Sequence, residues 1–133
     1  MIKNASREDV IWLSGLAEGE AAFDMQAGKY PRVRIAMCDR DVVGRAATLM
    51  GSTIRMTLQP APNKPSWHAE IQGEKAVAVM EALLPHMGAR RSAKIAEILS
   101  RYYLKGDARA RAYGKPLGRP PGLLSPDDIP GDR

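Results

Sequence analysis

The sequence predicts an α+β domain of order αββαββα(α), a four-stranded antiparallel sheet with its helices on one face. Three observations carry this: helical spacing of apolar residues in four segments, period-two alternation in four others, and turn-forming residues that join the alternating segments into two hairpins. The first helix is SREDVIWLSGLAEG, from Ser6 to Gly19, where Ser6 suits the cap, Asp9 follows three residues on, and Ile11, Leu13 and Leu16 supply apolar surface. Next, Phe23 and Met25 alternate with Asp24 and Gln26, and Val33 and Ile35 alternate with Arg32 and Arg34, across a turn expected at Gly28 to Pro31. A strand's period of two puts Asp24, Gln26, Arg32, Arg34 and Ala36 on one face and the apolar residues on the other.

Asp39 or Asp41 suits the cap of a second helix through Val42, Val43, Ala46, Ala47, Leu49 and Met50, stopped by Gly51. The strand pattern returns in STIRMTLQP, with Thr53, Arg55, Thr57 and Gln59 opposite Ile54, Met56 and Leu58. After the turn-rich PAPNKPS, the segment WHAEIQ completes a second hairpin. A third helix is expected from about Glu74 to Pro85 and a fourth from about Arg91 to Tyr103. The two αββ units repeat in pattern, though not in residue identity. Residues 1–105 form the expected domain. Residues 106–133, rich in Pro and Gly and basic, read as an extended or flexible tail.

With 133 residues, 44% of them hydrophobic and 26% charged, the chain matches a single globular domain and excludes collagen-like repetition. Its start, Met1-Ile2-Lys3-Asn4, lacks the apolar stretch of a secretion signal, and no run is long and apolar enough for a membrane helix. These features lead to the expectation of a cytoplasmic protein without a membrane partner. The lone Cys38 excludes an intrachain disulfide, and no Cys or His spacing fits structural zinc. The net charge is +5 and unevenly spread. Residues 1–28 are acidic, whereas 29–73 carry Lys29, Arg32, Arg34, Arg40, Arg45, Arg55 and Lys64 against only Asp39, Asp41 and Glu70.

The polar sheet face therefore offers Gln26, Arg32, Arg34, Thr53, Arg55, Thr57, Gln59 and His68 as donors suited to phosphates and base edges, with Asp24 and Glu70 beside them as acceptors. Aromatic residues make up 5% of the chain, too few for single-strand binding by base stacking, so duplex DNA is favoured. A solvated amphipathic sheet would show the same alternation. Gly15 and Gly19, four apart on one helix, share a face that a second helix can approach closely.

Leu13-Ser14-Gly15-Leu16-Ala17-Glu18-Gly19-Glu20-Ala21, followed by Ala22-Phe23, resembles the LAGLIDADG motif of homing endonucleases and the strand that follows it. The resemblance extends through the element order over about residues 7 to 104. One motif copy implies a homodimer with the two copies facing each other through Leu13, Ser14, Gly15 and Gly19. It also implies that Glu20, at the ligand position, supplies a catalytic carboxylate to Mg²⁺ or Mn²⁺. Two such carboxylates ~6 Å apart would repel by about 3 kcal/mol at an effective dielectric of ~20, which a divalent cation relieves. Glu18 holds the motif's other acidic position, which is not a ligand, and Ala21 replaces the usual final glycine.

Two more roles follow from the resemblance. The basic residue beyond the helix-three proline maps to Arg90, with Arg91 and Lys94 as neighbours. Arginine stands there in place of lysine, which favours charge stabilisation over proton transfer. The water-positioning residue after strand two maps to Asp39, or to Arg40, though Asp39 is equally suited to capping. The implied activity is Mg²⁺-dependent hydrolysis of both strands of a long, nearly palindromic DNA duplex by an enzyme encoded in an intron or other mobile element. Its place of action is the cytoplasm, or wherever a phage or organelle holds the target. The alternatives are a non-cleaving relative, either an RNA maturase or a DNA-binding regulator, and a small dimeric interaction module that binds no nucleic acid.

Overall fold

The computed structural model describes residues 5–113. The order is α1 (Arg7–Glu20), β1 (Ala21–Gln26), β2 (Tyr30–Met37), α2 (Arg40–Met50), β3 (Ile54–Thr57), β4 (Ser66–Gln72), α3 (Glu74–Leu83), a single 3-10 turn (Leu84–His86) and α4 (Ala89–Tyr113). The four strands form one antiparallel sheet in the order β1-β2-β4-β3. No helix among the described residues is long and apolar enough to cross a membrane.

Local chemistry sets most of these elements. Ser6 and Asp9 close a reciprocal capping box at the start of α1, with Ser6 Oγ accepting from Asp9 N (3.0 Å) and Asp9 Oδ2 accepting from Ser6 N (3.1 Å). The hydrogen bonds from Ser6 hold the Asp9 carboxyl below its ordinary pKa. At the other end, Ala21 is extended (φ −81°, ψ 147°) and is already the first residue of β1, so the helix passes straight into the strand. No left-handed residue occurs at this joint, so alanine meets no conformational cost there. By contrast α2 ends at Gly51 with φ 79°, and the bonds from Gly51 N to Thr48 O and from Ser52 N to Ala47 O make a Schellman close.

The alternating strands bury one face. Phe23, Val33, Ile35, Ala69 and Ile71 face the helices and pack with Leu13, Val43, Met80, Leu83, Ile95 and Leu99. On the opposite face, the register sets Asp24 beside Arg32, Arg34 beside Glu70, and Ala36 beside His68, which in turn faces Arg55.

Four expectations shift. The first turn is Ala27-Gly28-Lys29, and Pro31 is a fully buried residue of β2 paired with Met25. The strand expected over Ser52 to Pro60 shortens to Ile54–Thr57, so Thr53 and Gln59 flank β3. The third helix stops at Leu83, and the residues up to the expected Pro85 end continue as the 3-10 turn. The fourth helix does not stop at Tyr103 but continues through Gly106 to Tyr113. Ala108, Ala110, Ala112, Arg109 and Arg111 are strong helix formers, and no proline interrupts them before Pro116. The helix thus crosses the expected boundary at 105, and the rest of the expected tail, 114–133, lies outside the described residues.

Candidate nucleic-acid interface

Helix α1 has two faces of different use. Leu13 and Ala17 are fully buried against their own chain, and Ser14 is 4% exposed with its hydroxyl donating to Val10 O (2.7 Å). Leu13 and Ser14 therefore cannot form the surface on which a second copy docks; both are committed to the core beneath α1. Gly15 and Gly19 lie on the outward face with Ile11, and a methyl group added to either glycine would meet nothing within 4 Å. That exposed strip, small at two adjacent turns, is where another helix can approach closely.

Glu20 closes the strip. It is exposed, and among the described residues its carboxylate has no hydrogen-bond or ion-pair partner. Ala21 pairs with Ile35, so Glu20 and Asp39 leave the sheet at the same end. Asp39 precedes α2 but makes no side-chain capping bond, and its carboxylate is exposed. Beside the start of β1 a groove of about 500 Å³ is lined by Ala21, Ala22, Phe23, Arg90, Arg91, Ala93 and Lys94, with the acidic Glu97 also on its wall. Arg90 and Lys94, both exposed and four apart on α4, share a side of that helix.

Glu18 is engaged elsewhere. One of its oxygens accepts from Gly88 N and the other lies 3.3 Å from Arg91 Nε, which ties the end of α1 to the start of α4. Nothing in the local sequence announces this contact, since its partners are 70 positions or more apart. Arg45 was also unassigned by the sequence reading. It stacks 4.0 Å over the Trp12 ring and lies 3.7 Å from Asp9 Oδ1, joining α2 to α1.

On the polar face, Asp24 grips two arginines. Arg32 donates twice, from Nε to Oδ1 and from a terminal nitrogen to Oδ2 (both 2.8 Å), and Arg34 donates to Oδ2 (2.9 Å). The Arg32 hydrogen bonds hold the Asp24 carboxyl below its ordinary pKa against the opposing effect of burial, and the same pair raises that of Arg32. Arg32 commits two of its donors to Asp24 and is 20% exposed, whereas Arg34 commits one and is 46% exposed. Gln72 donates to Glu70 (3.3 Å). At the β4–β3 half of the face, Arg55 has no side-chain partner among the described residues, His68 Nε2 is unpartnered and Thr57 lies beside Ser66, while on β1 Gln26 Oε1 is also unpartnered. Thr53 and Gln59 are exposed at either end of β3.

A metal's requirements can be set against these donors. Among the described residues no three His, Cys, Asp or Glu cluster to hold an ion. One chain offers Glu20 alone, and two copies facing across α1 would offer two hard carboxylate oxygens. That donor set fits Mg²⁺ or Mn²⁺ in the presence of phosphate, because such ions keep most of their water and accept one or two carboxylates. No protein-family model, curated protein or solved structure matches the chain.

Proposed function

We propose that the chain is a homodimeric endonuclease of the LAGLIDADG kind that hydrolyses phosphodiesters of duplex DNA with Mg²⁺ or Mn²⁺. The observation that carries this reading is the outward strip of Gly15 and Gly19 ending in an exposed, unpartnered Glu20. Two such strips packed about a two-fold axis bring two carboxylates together, with Arg90 and Lys94 in the adjoining groove.

In this reading Glu20 from each copy holds the cation, which when bound supplies charge stabilisation at the attacked phosphate. Arg90 and Lys94 attract the backbone and offset charge that develops on the phosphoryl oxygens. Arginine keeps its proton throughout, so the role of Arg90 is electrostatic. Asp39, at the same end of the sheet, accepts a hydrogen bond from water near the phosphate. Arg34, Arg55, Thr57, His68 and Gln26 face the groove of the duplex as donors and acceptors, and Asp24 and Glu70 add the opposite sign that selective reading needs. About eight phosphate contacts per dimer give a log–log salt slope of binding near −7.

The test offers the purified chain a randomised duplex library with Mg²⁺ and, separately, with EDTA. Cleavage in Mg²⁺ alone, lost in Glu20→Gln with DNA affinity retained, is the expected result. Equal background in both, or a chain that stays monomeric in solution and on DNA, overturns the reading. The second reading is a relative that binds nucleic acid without cutting it, an RNA maturase or a DNA-binding regulator. It is favoured by arginine at position 90, and salt-dependent binding without Mg²⁺-dependent cleavage identifies it.

A further inference from the structure

We propose that Arg91 is a positioning residue for Glu20, acting through Glu18 and the Ala21 carbonyl; this rests on the reading of Glu20 as the cation's ligand. Arg91 is the most enclosed of the cations around the groove, with a side chain 14% exposed. Its Nε lies 3.3 Å from Glu18 Oε2, off the direction of a hydrogen bond but within ion-pair range. Its NH1 end donates to the Ala21 carbonyl, and the guanidinium lies 5.8 Å over the Phe23 ring. Glu18 is held a second time by Gly88 N, just before α4, where free amide groups favour negative charge.

One guanidinium thereby grips the chain two residues before Glu20 and one residue after it, while Glu20 itself stays exposed and unpartnered. These contacts restrain the chain on both sides of Glu20, and the carboxylate remains available. Glu18 is 43% exposed, so the ion pair adds little to global stability. Its larger consequence is local. It fixes the direction in which α1 ends, and a displacement of about 1 Å at a reacting group can cost ~100-fold in rate.

The experiment measures single-turnover cleavage of a duplex that the wild-type chain cuts, as a function of Mg²⁺ concentration. DNA affinity in EDTA and thermal unfolding are read alongside. Arg91→Met is expected to raise the Mg²⁺ midpoint by about tenfold, as loss of a residue supporting a ligand does, with affinity in EDTA unchanged. Arg91→Lys, a point charge unable to bridge both partners, is expected to recover part of the loss. Glu18→Gln combined with Arg91→Met should be no worse than the worse single change, because both break one linkage. Gly88→Ala provides a second route should Arg91→Met fail to fold, since its methyl would come within 3.1 Å of Glu18 Oε1 and displace it. A wild-type midpoint and rate in Arg91→Met and Gly88→Ala, or losses that follow affinity and stability in proportion, overturn the proposal. A wild-type chain without Mg²⁺-dependent cleavage overturns instead the reading of Glu20 on which it rests, and the wild-type arm alone reveals that.

Discussion

The two αββ units share an order of elements but not a division of labour. In the first, β1 and β2 pair over six positions across a tight turn, and the outer face is closed by Asp24 gripping Arg32 and Arg34. In the second, β3 contributes four residues at the sheet edge, the return to β4 crosses a loop containing Pro60, Pro62 and Pro65, and the outer face presents Arg55 without a side-chain partner among the described residues. The sheet order β1-β2-β4-β3 sets the two hairpins on opposite sides of the β2–β4 junction, so both contribute to one continuous polar face. The first unit ties both its arginines to Asp24, although Arg34 keeps free donors at 46% exposure, and the second leaves Arg55 without a side-chain partner among the described residues. Charge pairing is thus concentrated in one half of the sheet.

The largest effect expected from this difference is on folding. Leu13 is fully buried beneath α1, whereas Met56 on β3 is 46% exposed. Leu13→Ala should cost about 3 kcal/mol in urea-induced unfolding, and Met56→Ala less than about 1 kcal/mol. Equal costs would break the comparison, because they would mean that the short edge strand is as tightly packed as α1.

An intermediate effect is expected on binding to duplex DNA. Arg55→Ala should reduce the magnitude of the log–log salt slope by about 1 per chain, the signature of one lost phosphate contact. Arg32→Ala should change the slope less, since its guanidinium is paired twice with Asp24 and is 20% exposed. Equal reductions would show that Asp24 releases Arg32 on the duplex.

What the sequence made legible is what neighbouring residues decide. The Ser6–Asp9 box is written four residues long, and the alternation of Asp24, Arg32, Arg34, Arg55 and His68 with apolar residues assigns the polar face. The face of α1 that looks outward was not legible in the same way. Leu13, Ser14 and Gly15 are consecutive and all suit close packing, so only the position of the sheet decides that the first two turn inward. The Glu18–Arg91 linkage and the hydrogen bond from Lys105 Nζ to Gly28 O (3.1 Å) depend on α4 lying along β1, a tertiary arrangement with no local pattern. The end of α4 was misplaced because the Pro- and Gly-rich composition of residues 106–133 was read as one tail, although Gly106 alone costs a helix only about 1 kcal/mol and the Ala-Arg alternation just beyond it favours continuation.

The smallest effect sharpens the comparison at the turn that makes the first hairpin tight. Lys29 N bonds to Gln26 O (2.9 Å), and the two central residues have positive φ, Ala27 at 53° and Gly28 at 67°. Positive φ at both central residues is the feature of a type I′ turn, here within the three-residue connection between Gln26 and Tyr30. Among the described residues Ala27 is the one non-glycine with positive φ, and alanine there bears a steric cost of about 1 kcal/mol. Asparagine tolerates the same conformation, and Asn-Gly is the preferred pair for this turn. Ala27→Asn should therefore stabilise the chain by about 0.5 kcal/mol in urea unfolding, and its exposed site leaves room for the longer side chain. Loss of stability would show that the hairpin's register is held by the Asp24–Arg32 pair and the packing beneath Phe23 and Val33, with the turn following the strands.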